Sequence, residues 1–164
     1  MGGEVELEHP IDSDAGHRTG WWRRELVSRH APVLVAVAFG GGLGSLARYG
    51  LTVLLPTHPG QFPWATFFEN VLGCLLIGVL MVLITERWTV HRLVRPFLGV
   101  GVLGGFTTFS TYAVEIRGLL QPGTIGLAFA YLAGTFLGAM LAVITGASAT
   151  RAVLRMKADH QEAA

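Results

Sequence analysis

Charge is what this sequence has least of. Asp, Glu, Lys and Arg make up 14% of its 164 residues, against roughly 25% in an ordinary soluble domain. The deficit is concentrated: no charged residue falls between Ala31 and Ala47, Asn70 and Thr85, Pro96 and Val114, or Gly118 and Thr150. A soluble core helix carries a charged face opposite its apolar one, so these runs exclude a soluble helical fold. Cysteine is nearly missing too. Cys74 stands alone in an apolar run, which excludes an intrachain disulfide and reads as a buried structural thiol. Histidine is absent from every apolar run: His9, His17, His30, His58, His91 and His160 all lie in tails or loops. No Cys/His cluster therefore offers transition-metal ligation. Ser110 has neither a G-x-S-x-G turn nor a visible base. An enzyme is not expected, and a net charge of +1 gives no basis for a nucleic-acid partner.

What is present is apolar sequence in membrane-sized lengths. About 20 apolar residues cross a bilayer core, and four segments qualify: Pro32–Leu55, Trp64–Thr85, Val94–Leu119 and Thr124–Ala149. The connections are short. "PTHPGQFP" (56–63) is broken by proline and glycine, "ERWTVHRLVRP" (86–96) is basic and aromatic, and "QPG" (121–123) is a tight turn. The expected organisation is a disordered N-terminal tail (1–30) ending in the basic aromatic anchor "GWWRR", a four-helix transmembrane domain (31–150) and a C-terminal tail (151–164). The first thirty residues mix acids with later arginines and lack a basic start followed by an apolar core, so they do not read as a secretory signal. Arg18, Arg23, Arg24, Arg29, Arg87, Arg92, Arg95, Arg151, Arg155 and Lys157 fall on one side of a four-span topology, and Arg117 alone on the other. Positive charge marks the cytoplasmic side, so both termini are expected in the cytoplasm, with the chain multi-pass in the cell membrane. Small residues recur four apart at Gly40/Gly44, Gly41/Ser45, Gly101/Gly105 and Gly134/Gly138. That spacing lets helix backbones approach closely, either within one chain or between two.

Polar residues inside a membrane are costly, so each is a functional candidate. The first span holds Ser45 and Arg48, the second Thr66, Glu69 and Asn70, the third Thr107, Thr108, Ser110, Thr111 and Tyr112, and the fourth Tyr131, Thr135 and Thr145. This inventory leans toward hydrogen-bond donors, since Arg brings five, Asn two and each hydroxyl one. Such a set suits an anion better than a cation. Arg48 could instead reach the interface by its long side chain. Glu69 could be an interfacial carboxylate facing water or a partner of Arg48. Thr145 reads as a hydroxyl bonded to its own helix. "TTFST" (107–111) is preceded by Gly99, Gly101, Gly104 and Gly105, each costing a helix up to about 1 kcal/mol relative to alanine. These glycines predict a third helix broken at its middle. Such a break survives at membrane depth only where protein or a water-filled cavity satisfies the freed backbone groups. "GVGVLG" (99–104) also fits G-x-G-x-x-G, but without a preceding strand the match carries no weight.

At these residues the chain resembles a known family, the small four-helix fluoride channels called Fluc or CrcB. "GGFTTFSTY" (104–112), "GGGLGSLARYGL" (40–51), "TFFENVLGCLLIG" (66–78) and "YLAGT" (131–135) resemble that family's motifs in order. The resemblance implies an all-α membrane protein that pairs as an antiparallel dimer with two pores and passively exports cytoplasmic fluoride. It implies that Asn70, Ser110, Thr111 and Thr135 line the anion track, with Phe109 and Tyr112 touching the ion by their ring edges. It implies a structural Na⁺ at the dimer centre on the backbone carbonyls of Gly104 and Thr107, and it matches Arg48 to the family's first-helix arginine. Tyr112 replaces the family's usual phenylalanine, and Glu69 stands where an apolar residue is usual. The partner subunit would be a second copy or, given ten basic residues against one, an oppositely oriented paralogue. A proton-coupled exporter of dual topology and a non-transporting assembly subunit are the alternatives. The exporter would need a central acid, for which Glu69 is the one candidate.

Overall fold

The computed structural model describes residues 15–86 and 91–162, and their regular elements are all helical. Residues 1–14 of the expected tail, and Arg87 of the charge count, lie outside the described residues. Helix α1 spans Ala15–Leu54 and α2 spans Trp64–Glu86. The third crossing begins as a π-helix at Pro96–Leu103, continues as the short α3 (Gly104–Phe106) and resumes as α4 (Phe109–Leu119). Helix α5 runs over Ile125–Glu162. Contacts divide the chain into two units, Met1–Pro32 and Val33–Ala164. In the first, the described backbone is the start of α1, helical from Ala15 where the sequence suggested a disordered tail to residue 30.

Among the described residues, four helical stretches are long and apolar enough to cross a membrane: His30–Leu54, Trp64–Glu86, Pro96–Leu119 and Ile125–Gln161. These match the expected spans except at the end of α5, which does not stop at Ala149. It continues through 151–162, a segment of helix-forming Arg, Ala, Leu, Met and Lys. At about 1.5 Å per residue the helix is about 57 Å long, well beyond a hydrocarbon core of about 30 Å. Near the point where the apolar stretch ends, Arg151 Nε donates to Glu86 Oε1 at 2.7 Å, joining α5 to the last residue of α2. The two other connections turn at Gly60 (φ +80°) and Gly123 (φ +95°), left-handed positions that favour glycine.

Small residues set how closely these helices approach. A Cβ on Gly44 would collide with the Val102 carbonyl, and one on Gly105 with the Gly41 carbonyl. One on Gly101 would come within 3.0 Å of Gly40 Cα, and Ser45 Oγ donates to Gly105 O at 3.5 Å. The pairs Gly40/Gly44, Gly41/Ser45 and Gly101/Gly105 thus serve one contact inside the chain, between α1 and the first half of the third crossing. On the other side α2 packs along α5, with Gly78 against the Val143 carbonyl and Gly146 against that of Leu75. Gly138 meets Val71 and Phe67, but nothing lies within 4 Å of a Cβ on Gly134. Large apolar side chains such as Phe39, Leu46, Phe129, Leu141 and Ile144 point outward, as lipid-facing positions do.

The third helix is broken at its middle, as expected, but not at the glycines themselves. Gly99 to Gly105 remain helical, and the chain leaves helical geometry two residues later, at Thr107 (φ −80°, ψ 156°) and Thr108 (φ −147°, ψ 125°). Gly101 and Gly105 are there because α1 lies against them. Replacing Gly44 with valine should force α1 off the third crossing and cost about 1–3 kcal/mol. Gly50→Ala, on the same helix with nothing within 4 Å, should not destabilise. Thermal unfolding of the two variants in detergent checks the contrast.

Candidate functional site

The break is held by side chains from two directions. Asn70, in the middle of α2, exchanges two hydrogen bonds with the Thr108 backbone: Thr108 N–H donates to Oδ1 at 2.9 Å, and Nδ2 donates to Thr108 O at 3.0 Å. A carboxamide presents a donor and an acceptor side by side, so it matches one extended residue much as a neighbouring strand would. Thr108 then caps α4, its Oγ1 accepting from Thr111 N–H at 3.2 Å and donating to Thr111 Oγ1 at 3.0 Å. Thr107 turns inward to its own helix, with Oγ1 donating to Leu103 O at 2.9 Å.

These groups border a groove of about 290 Å³ lined by Asn70, Thr107, Thr108, Phe109, Tyr112 and Thr135, with Cys74, Ile77, Phe136 and Ala139 completing its walls. Of the sequence candidates, Asn70, Thr107, Phe109, Tyr112 and Thr135 therefore meet in one place. Ser110 and Thr111 are exposed, do not line the groove and connect to it through Thr108 Oγ1. Gly104 is exposed and Arg48 half-buried on α1, both outside the lining. Thr135 is 4% exposed, and its Oγ1 is a buried polar atom with no hydrogen-bond partner among the described residues. Phe109 is 80% exposed, its ring centroid 6.0 Å from that of Tyr112 and tilted by 54°.

Tyr112 uses its extra hydroxyl away from the groove's polar atoms, donating to the Leu132 carbonyl of α5 at 2.6 Å. The ring stays beside the groove while the oxygen ties α4 to α5. The expectation that Glu69 is an interfacial carboxylate facing water is overturned. It is 1% exposed and accepts from Thr52 Oγ1 at 3.1 Å, on the α1 side of α2, one residue from Asn70 yet outside the groove. Arg48, one turn before Thr52, lies within electrostatic reach of it.

Sequence reasoning missed two residues. Thr108 was one hydroxyl among several until its backbone was seen to be the partner of Asn70. Glu115 stood just past the charge-free run and was passed over. Its carboxylate accepts from Tyr131 Oη at 2.6 Å and Thr66 Oγ1 at 3.0 Å, joining α4 to α5 and α2. It borders a second recess of about 450 Å³ beneath the loops, with His58, Gln61 and Gln121. Tyr131, fully buried, stacks edge-on against Tyr112 with centroids 5.2 Å apart. Thr66 and Tyr131 were each legible as intramembrane polar residues, but their pairing was not.

Fold and site together define a class: a small membrane protein with four crossings among the described residues and a groove formed where one of them is interrupted. Comparison with known proteins narrows this. Residues 35–147 match the family described as CrcB-like protein, Camphor Resistance (CrcB). The chain is 59% identical over 119 residues to the fluoride-specific ion channel FluC 2 of Nocardia farcinica, covering 73% of this chain and 85% of that protein. It is 51% identical over 147 residues to FluC 1 of Streptomyces coelicolor, covering 90% and 92%. With FluC of Thermus thermophilus it shares 50% over 110 residues, 66% and 87% of the two chains. The chain belongs to the CrcB family.

Removing the Tyr112 hydroxyl tests its anchoring role. Tyr112→Phe should lower stability by about 0.5–1.5 kcal/mol, the worth of one hydrogen bond, read as a lower melting temperature of the purified protein.

Proposed function

We propose that this chain is a subunit of a fluoride channel through which cytoplasmic fluoride leaves the cell passively. One observation carries the reading: Thr135, whose buried hydroxyl has no partner among the described residues, lines one groove together with the Asn70 amide and the rings of Phe109 and Tyr112. A buried hydroxyl left unpaired costs about 1–3 kcal/mol, so the site calls for a guest that accepts a hydrogen bond. Fluoride is the smallest and most strongly hydrated halide, and a path for it must replace water with donors. Thr135 Oγ1 and the second N–H of Asn70 Nδ2 supply them, since only one Nδ2 hydrogen is needed for Thr108 O. The rings of Phe109 and Tyr112 offer positive edges that attract an anion weakly, so that it enters without being trapped. The relatives named as fluoride-specific ion channels support the choice of ion.

The finer architecture belongs to the same proposal. A second subunit laid antiparallel would cover the exposed Phe109 ring at the groove rim and close the groove, giving two pores per dimer. The partner is a second copy, or a paralogue inserted the opposite way, which the imbalance of basic residues would favour. Both termini lie in the cytoplasm on that count. The carbonyls of Gly104 and Thr107 suit a structural Na⁺. In an unbroken helix their donors would be Thr108 N–H and Thr111 N–H, but these are turned to Asn70 Oδ1 and Thr108 Oγ1. Hard carbonyl oxygens released in this way are what an alkali cation takes, and the ion would supply positive charge to hold the broken ends together. Arg48 would raise the local concentration of anions. A proton-coupled exporter is less well supported, because Glu69 is bonded to Thr52 away from the groove.

Fluoride efflux from liposomes holding the purified chain tests the reading. Efflux should be fast and unchanged by a proton gradient; dependence on the gradient would select the exporter, and activity of the chain by itself would select the homodimer. Asn70→Asp should reduce efflux by at least about tenfold, because like charges about 4 Å apart repel by about 4 kcal/mol at an effective dielectric of about 20. Flux equal to that of the unaltered protein would remove Asn70 from the path.

A further inference from the structure

Among the described residues, Glu69 is the buried acid that the proposed path leaves without a task. It is 1% exposed and immediately precedes Asn70 on α2, but its carboxylate is engaged on the α1 side, where Oε1 accepts from Thr52 Oγ1 at 3.1 Å. Thr52 Oγ1 also donates to Arg48 O at 3.2 Å, one turn back along α1. Residues four apart are neighbours on a helix surface, so the Arg48 side chain leaves α1 on the face that carries Thr52. Arg48 is half-buried and within electrostatic reach of Glu69. An acid and a base thus share the junction of α1 and α2, one residue from the amide that borders the groove. A buried charge is costly unless it is paired, and the guanidinium gives Glu69 a counter-charge. The same pairing alters what Arg48 does at a distance, because two opposite charges side by side largely cancel each other's field.

We infer that Glu69 tunes the path through Arg48: its carboxylate pairs with the guanidinium and so limits how strongly the protein draws fluoride to the groove. The effect on fluoride rests on the channel reading above; the pairing of the two side chains does not. Glu69 acts through another residue and lies outside the groove lining, so it is a positioning residue rather than a contact of the ion. Its influence belongs to entry. At low fluoride, occupancy of the path follows the attraction it offers, and an unpaired guanidinium would raise that occupancy. At saturating fluoride the path is already filled, and the same charge brings no gain.

Two measurements on the purified full-length protein test this. Melting temperatures of Glu69→Gln, Arg48→Gln and the double variant form a cycle. Glu69→Gln keeps an oxygen for the Thr52 hydroxyl and removes the charge. Each single variant should melt lower, and the double variant should lose clearly less than the two losses added. Recovery of folding in the double variant, should Arg48→Gln not fold, would show the same coupling; additive losses would overturn the pairing. In liposomes, Glu69→Gln should raise fluoride efflux several-fold at low fluoride and little at saturating fluoride, a split that loosened packing would not produce. The rise should vanish in an Arg48→Gln background and persist with Arg48→Lys, which keeps the cation. Equal or lower efflux from Glu69→Gln at low fluoride would overturn the tuning. Absence of efflux from the unaltered protein would overturn the channel reading and the tuning together, while the melting temperatures still decide the pairing.

Discussion

Everything at the centre of this protein depends on one side chain taking the place of a missing helical turn. Where the third crossing leaves helical geometry, backbone groups are stranded at membrane depth, where no lipid can satisfy them. Asn70 meets both polar groups of Thr108 with its amide, and Thr108 in turn caps the helix that follows. The break is therefore joined to α2 across 38 positions of sequence rather than to its own neighbours. An interruption that would otherwise be a defect becomes a fixed feature, and the hydroxyls and rings around it acquire definite places.

That arrangement works because the flanking helices come close enough to enclose it. On one side glycines let α1 lie against the π-helical entry and α3; on the other, Gly78 and Gly146 let α5 lie against α2. Neither contact has a hydrophobic driving force in lipid, so close packing and a few polar bonds must hold the bundle. The polar bonds are placed accordingly: Ser45 to Gly105 O, Thr52 to Glu69, Glu115 to Thr66 and Tyr131, and Tyr112 to Leu132 O each join different elements. The buried Glu69 and the half-buried Glu115 are both engaged in this way.

The crossings were legible because charge is absent over membrane-length runs, and the turns because Pro and Gly punctuate them. The polar residues of the groove were legible too, since a hydroxyl or amide in lipid is conspicuous by its cost. What the residues could not reveal was pairing. Nothing near Asn70 marks it as the partner of Thr108, and a carboxylate such as Glu69 looks the same whether it faces water or Thr52. Glu115 escaped because it ends a charge-free run and so resembles a boundary, although its partners lie deep in the bundle. The glycines misled by two residues. They were read as weak points of a helix, whereas helix propensity yields to contact when another backbone is pressed against the same face.

The π-helical start of the third crossing has a consequence for tolerance to insertion and deletion. A π-helix accommodates more residues per turn than an α-helix, and each residue of an α-helix turns the chain by about 100°. Pro96–Leu103 therefore fixes an azimuth as well as a length. Losing a single residue there while the π-helical winding is kept would swing every later side chain around the axis. Thr108 would face away from Asn70, and Tyr112 away from Leu132. In this bundle the residue count before the break acts as an angular coordinate, which binds that short segment more tightly than its plain apolar composition suggests.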